Sequence, residues 1–223
     1  MGEVLAMKPV LLFIAGLALS ACGSETDQAT ATAVKTLVTR LTSPKPAPVD
    51  VRRIMTADVL AQIHQPFLIA DIPSREASAS MVVSGRNNDY VTWIAGDGIS
   101  LTFHNGLLTA TRGIGGDLMA SDIAQSDVAL RAGGGNAVRL HRYIDAENHI
   151  QMLQFNCQLR RIGVEPIDLI SRQITASLTE ESCHSDTVSF TNRYWTETAG
   201  NIVKSEQWIN PEAGYVDLLR VVQ

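Results

Sequence analysis

The 223-residue sequence predicts a mainly β fold: a curved antiparallel meander sheet, half-barrel or barrel-like, with one or two N-terminal helices packed on it. Beyond residue 78 apolar side chains recur with a period of two, in short runs separated by turn residues. Ten of the 12 aromatic residues lie after position 89, which puts the packed core in that part. Before residue 65 the apolar positions recur instead at three- and four-residue spacing, the pattern of helices. Apolar residues make up 45%, enough for a substantial core, while charged residues reach 18%, below the ~25% usual for soluble domains. With a net charge of −5 and no basic excess, sequence-independent nucleic-acid binding is not expected.

The chain opens on Val10-Leu11-Leu12-Phe13-Ile14-Ala15-Gly16-Leu17-Ala18-Leu19, an uncharged run too short to span a hydrocarbon core of ~30 Å but suited to a secretory signal. Lys8 supplies its positive flank; Met7-Lys8 is a more ordinary start than Met1, because Glu3 is unwelcome there. The run ends in Leu19-Ser20-Ala21-Cys22, which matches the bacterial lipobox. Residues 1–21 are therefore expected to be a lipoprotein signal peptide, with Cys22 alkylated by diacylglycerol and acylated, palmitate-like, at its new amino terminus. Two or three acyl chains at ~0.8 kcal/mol per buried methylene hold a protein on a membrane where one is marginal. Gly23 in place of Asp favours the outer membrane, with the domain facing the periplasm. Removing Glu3 and Lys8 together leaves the charge unchanged.

Residues 22–33 are small and polar and read as a lipidated tether; residues 34–223 read as a single β-rich periplasmic domain. From about Ala29, Ala33, Leu37 and Leu41 with Val34 and Val38 form an amphipathic helix that ends before Pro44-Lys45-Pro46-Ala47-Pro48. A second short helix follows, with Thr56 as N-cap and Val59, Leu60 and Ile63 on one face; Gln65-Pro66 stops it.

The strands come in three groups, roughly nine in all. Met81 to Arg86, Tyr90 to Ile94, Ile99 to His104 and Leu107 to Thr111 form a meander, the last pair joined by Asn105-Gly106, the favoured type I′ turn. A Gly-rich stretch over 113–135 interrupts it with at most one helical turn. Val138 to Ile144 and His149 to Arg160 make a hairpin, and Ile174 to Glu180, Val188 to Thr196, Ile202 to Ile209 and Tyr215 to Val222 complete the set. No 20–50-residue repeat is visible, which disfavours a propeller.

An oxidising periplasm makes a disulfide the default reading of Cys157 and Cys183. No HExxH, P-loop, dinucleotide fingerprint or Gly-x-Ser-x-Gly occurs, so no catalytic residue, metal site or cofactor is assigned. His141 and His149 flank a turn and read as a pair of surface imidazoles. Cys183 and His184, neighbours on a strand, point to opposite faces and do not form a nucleophile and base. Aromatic side chains recur beside Asn, Gln and Arg: Trp93, Asn105, Asn192-Arg193-Tyr194-Trp195 and Gln207-Trp208. That is the chemistry of saccharide contacts, where C–H faces stack and hydroxyls hydrogen-bond. Equally, Trp93, Trp195 and Trp208 suit the core of paired strands, and spacing alone leaves both readings open.

These segments, with the lipobox, resemble the YjbF/GfcB family of lipoproteins associated with group 4 capsule and exopolysaccharide gene clusters. The resemblance runs from about Ala33 to Val222. Its most specific parts are Trp93…Asp97-Gly98, Asn105-Gly106-Leu107…Thr111-Arg112-Gly113, Asn192-Arg193-Tyr194-Trp195 and Gln207-Trp208…Pro211…Gly214-Tyr215. It implies a largely β outer-membrane lipoprotein that assists export or assembly of an extracellular polysaccharide, with no established enzymatic role. The expected partners are the membrane through Cys22, polysaccharide and export-machinery proteins. A carrier of an apolar ligand in the curved sheet, or a polysaccharide-modifying enzyme, are the alternatives.

Overall fold

A computed structural model describes residues 50–144, 147 and 149–222. The signal peptide, Cys22, the tether and the helix expected from about Ala29 lie outside the described residues. Two single-turn helices come first, α1 (Val51–Ile54) and α2 (Ala57–Leu60). Thr56 caps α2 as expected, its hydroxyl accepting from the Val59 amide at 3.3 Å. Four-residue helices do not persist alone. Val51 and Leu60 hold them by packing on Phe67, Ile69 and Trp195 of the sheet. No helix among the described residues is long and apolar enough to cross a membrane.

Twelve strands follow. They are β1 (Phe67–Ile72), β2 (Ala77–Asn87), β3 (Tyr90–Ala95), β4 (Ser100–His104), β5 (Leu107–Arg112), β6 (Leu118–Asp122), β7 (Gly134–Ile144), β8 (Ile150–Asp168), β9 (Gln173–His184), β10 (Ser189–Thr196), β11 (Ile202–Asn210) and β12 (Gly214–Val222). All pair antiparallel in one nearly closed, barrel-like sheet, ordered β5-β4-β3-β2-β1-β12-β11-β10-β9-β8-β7-β6. The first and last strands are neighbours, Phe67 opposite Val222 and Asp71 opposite Asp217, so the sheet's free edges are β5 and β6.

Side chains rather than a backbone ladder bind that seam. The Thr111 hydroxyl donates to Asp117 Oδ1 at 2.9 Å and accepts from the Leu118 amide at 3.0 Å. Arg112 Nη1 donates to the Leu118 carbonyl at 3.1 Å. Asp117 also collects the amides of Gly113 and Ile114 at 2.8 and 3.1 Å, which shapes the glycine turn between the two strands.

Three regions of the chain differ from the sequence expectation. The first, β1, has no alternation, because both its faces are covered: Leu68 and Ala70 pack with Met81 and Trp93, while Phe67 and Ile69 pack under α1 and α2. The stretch over 113–135 holds a strand, β6, and an eight-residue helix, α3 (Ala124–Arg131), where at most one turn was expected. Its apolar positions are few, since Ser126 and Ala129 are what it buries. Finally, β8 runs on to Asp168, past a bulge between Arg161 and Gly163.

Between the strands the interior is filled. Phe155, Leu159, Tyr194, Leu107, Leu108 and Ile209 are all fully buried.

Candidate functional site

A buried polar hub ties the helix to three strands. Glu181 on β9, fully buried, accepts from Arg139 Nη1 on β7 at 2.6 Å, from the Tyr194 hydroxyl at 2.7 Å, from Asn192 Nδ2 at 2.8 Å and from the Ser126 hydroxyl on α3. Burial acts to raise the Glu181 carboxyl, but the Arg139 charge and the hydrogen bonds from Ser126, Asn192 and Tyr194 outweigh it, so its pKa lies below the ordinary value. Arg139 moves up despite its own burial, because Glu181 faces it. The pair is structural in character: Oε2 of the carboxylate collects Arg139, Asn192 and Tyr194 and Oε1 collects Ser126, all from within the fold.

Beside the hub lies an aromatic cluster. Trp208 stacks on Phe190 with centroids 4.5 Å apart, and the His141 ring lies nearly parallel to Trp208 at 5.9 Å. His141 is therefore buried, not the surface imidazole expected, and Leu153 rather than His149 stands opposite it in register. Tyr143 donates its only hydroxyl proton to the Ile209 carbonyl at 2.6 Å. The 3.0 Å contact of His141 Nδ1 with that hydroxyl thus requires the proton on Nδ1, which leaves Nε2 bare and without a partner among the described residues. Burial, and then the Arg139 charge, hold His141 well below its ordinary pKa, so it is neutral.

The residues singled out from sequence divide by exposure. Trp93, Asn192, Tyr194, Trp195, Gln207 and Trp208 are buried; Asn105 and Arg193 are exposed. The buried ones act as joints between strands. Gln207 on β11 mimics a peptide group, accepting from the Leu108 amide at 2.7 Å and donating to the Gly106 carbonyl at 2.9 Å, and so docks the β4–β5 turn. Asn192 accepts from the Trp208 amide at 2.8 Å with its Oδ1 while its Nδ2 serves Glu181. Trp195 donates to Glu165 Oε2 at 2.7 Å, with Lys204 Nζ 4.0 Å from its ring centroid. Arg193 bridges its two cross-strand partners, Glu180 and Glu206, each at 3.0 Å. Asn105 and Gly106 both have positive φ, at 51° and 87°, as a type I′ turn demands. Asn105 also donates to Asp127 of α3 at 2.9 Å. Cys157 and Cys183, directly opposite in register, are joined by a disulfide.

Where the chain presents a cleft is the barrel mouth formed by the β2–β3, β4–β5 and β10–β11 turns, the start of β1 and the end of β12. It has a volume of about 430 Å³, a floor of Val91, Trp93, Phe103 and Ile202, and a rim that includes Arg86, Asn88, Asp89, Asn105, Asn201 and Arg220. A second cleft of about 410 Å³ shares Asn105, Arg131, Gly200 and Ile202 with it and continues past Asp127, Glu197 and Arg161. These volumes are ample for a small ligand. Sequence reasoning missed Arg139, Glu181 and the mouth arginines. For Glu181 a signal existed: it shares strand parity with Cys183, the residue expected in a disulfide with Cys157.

The architecture defines a class by fold: a nearly closed, barrel-like antiparallel sheet with few helices. A solved example is the crystal structure of the hypothetical lipoprotein YmcC from Escherichia coli (K12). It shares 14% identity with a TM-score of 0.65, covering 79% of this chain and 98% of that one. The sequence itself places the chain more narrowly. It belongs to the group 4 capsule polysaccharide lipoprotein family, YjbF/GfcB, whose sequence profile matches residues 33–221. Comparison with curated proteins gives no match. The family is one of capsule-associated lipoproteins, which gives the chain a general polysaccharide-related role.

Proposed function

We propose that the chain is a lipid-anchored accessory protein of the outer membrane, held through Cys22 and facing the periplasm, that assists export or assembly of capsular or extracellular polysaccharide by engaging the polysaccharide or an export protein. The observation that carries the proposal is the family match over residues 33–221, beginning just behind the lipobox cysteine. The test has two arms. Cys22→Ser is expected to move the protein from the membrane to the soluble fraction and to reduce cell-surface polysaccharide. Crosslinking in cells, followed by mass spectrometry, is expected to recover polysaccharide or export components. Normal surface polysaccharide in cells lacking the protein would overturn the proposal.

A further inference from the structure

The barrel mouth is positive although the chain as a whole carries −5. Arg220 on β12 shares its face with Leu218 and opposes Leu68, so it points inward at the rim and is half-buried. Arg86, at the end of β2, lines the same cleft. Neither guanidinium forms a salt bridge among the described residues, whereas the chain's Arg139, Arg131 and Arg193 all do. The acidic groups nearby are largely engaged. Asp127 holds Arg131 and Asn105, and Glu197 accepts from Asn201 Nδ2 at 2.8 Å; Asp89 stands on the rim itself. Asn105 and Asn201, whose Nδ2 groups donate to Asp127 and Glu197, both line the cleft, and their side-chain amides carry oxygens that can accept from a ligand.

We propose that this mouth is the binding site for an acidic saccharide: its carboxylate seats between Arg86 and Arg220, and its hydroxyls donate to the amide oxygens of Asn105 and Asn201. The geometry favours a planar, forked acceptor, because guanidinium groups bind carboxylates through paired N–H donors. An anion also relieves a real conflict. Burial first, and the Arg86 charge second, hold the Arg220 guanidinium below its ordinary pKa, with Glu197 opposing them only in part, so a further negative charge in the cleft favours its cationic form. The rim amides distinguish a sugar acid from a bare anion, since a simple ion has no hydroxyls to donate.

The inference rests on the polysaccharide reading of function but fails separately from it. The intact mature protein is titrated by calorimetry with oligogalacturonate, with a neutral maltodextrin and with inorganic phosphate. Oligogalacturonate is expected to bind, more weakly as salt screens the charges. The neutral chain is expected not to. R86Q/R220Q should weaken binding by about tenfold or more. R193Q, which alters only the external ladder, should leave it unchanged. Because R86Q alters an exposed side chain, it provides a folded single variant, expected to lose part of the affinity. Equal binding of the maltodextrin, unaltered binding by R86Q and R86Q/R220Q, or phosphate binding as tight as the oligosaccharide would each overturn the assignment. If oligogalacturonate fails to bind while in-cell crosslinks to export proteins persist, the mouth site falls and the accessory role stands.

Discussion

Replacing Glu181 by Gln keeps the shape of the hub but removes its charge, and it leaves Arg139 buried with no anion. Arg139 has no compensating route to water: it is 2% exposed, its Nε has no partner, and Nη2 reaches only the Leu108 carbonyl at 3.4 Å. Breaking a buried ion pair from one side costs about 3–5 kcal/mol. For a domain of this size that lowers Tm by about 6–20 °C. The measurement is thermal and urea unfolding of E181Q, R139Q and R139Q/E181Q. The double variant carries no orphaned charge, so its loss should fall short of the summed single losses by about 2 kcal/mol or more. A pH series adds an independent check. The folded-state pKa of Glu181 is depressed, so the unfolded chain binds the proton more readily. Its stabilising contribution is present above the unfolded value of about 4.3 and is lost as pH falls through the folded value. E181Q should therefore lack part of the acid loss. An E181Q protein melting within about 2 °C of the parent, or strict additivity in the cycle, would refute the argument.

The disulfide joins residues 26 apart, and C157A/C183A should lower stability by about 3–4 kcal/mol through the unfolded chain's regained freedom. Mass spectrometry of native protein should find the pair oxidised, and a fully alkylatable pair would defeat the assignment. His141 is neutral in the fold and protonates on unfolding, so stability should decline as pH falls below the unfolded value of about 6.5, with a slope of up to about 1.4 kcal/mol per pH unit. H141F should be flat over that interval, and parallel curves for parent and variant would contradict the buried, bare Nε2.

The β class and most strand positions were legible because a surface-lining strand alternates. The Asn105-Gly106 turn was legible because its chemistry is local. Where two faces are buried, as in β1, alternation vanishes and the signal with it. In α3 the helix is held by one serine and one alanine against the sheet, too little apolar surface to show a period. The motif residues illustrate a different limit. Asn192, Gln207 and Trp208 stood out by composition, which suits both a sugar-binding surface and a set of joints. Their burial and partners show them as joints, whereas the mouth arginines, Arg86, Arg131 and Arg220, come from three separate segments and share no spacing that a sequence could display.

Pairing the first strand with the last has a temporal meaning. Contacts such as Phe67 with Val222 and Asp71 with Asp217 span most of the described chain, whereas β2 to β5 and β6 to β12 are hairpin chains whose neighbours are close in sequence. Local hairpins close quickly and distant pairings late, because loop closure must precede the contacts that reward it. The two arms can thus form as separate meanders, yet β1 stays an open edge until residues 214–222 arrive to pair with it. A chain emerging amino end first cannot finish this domain before its last strand arrives, and until then one edge of β1 stays open.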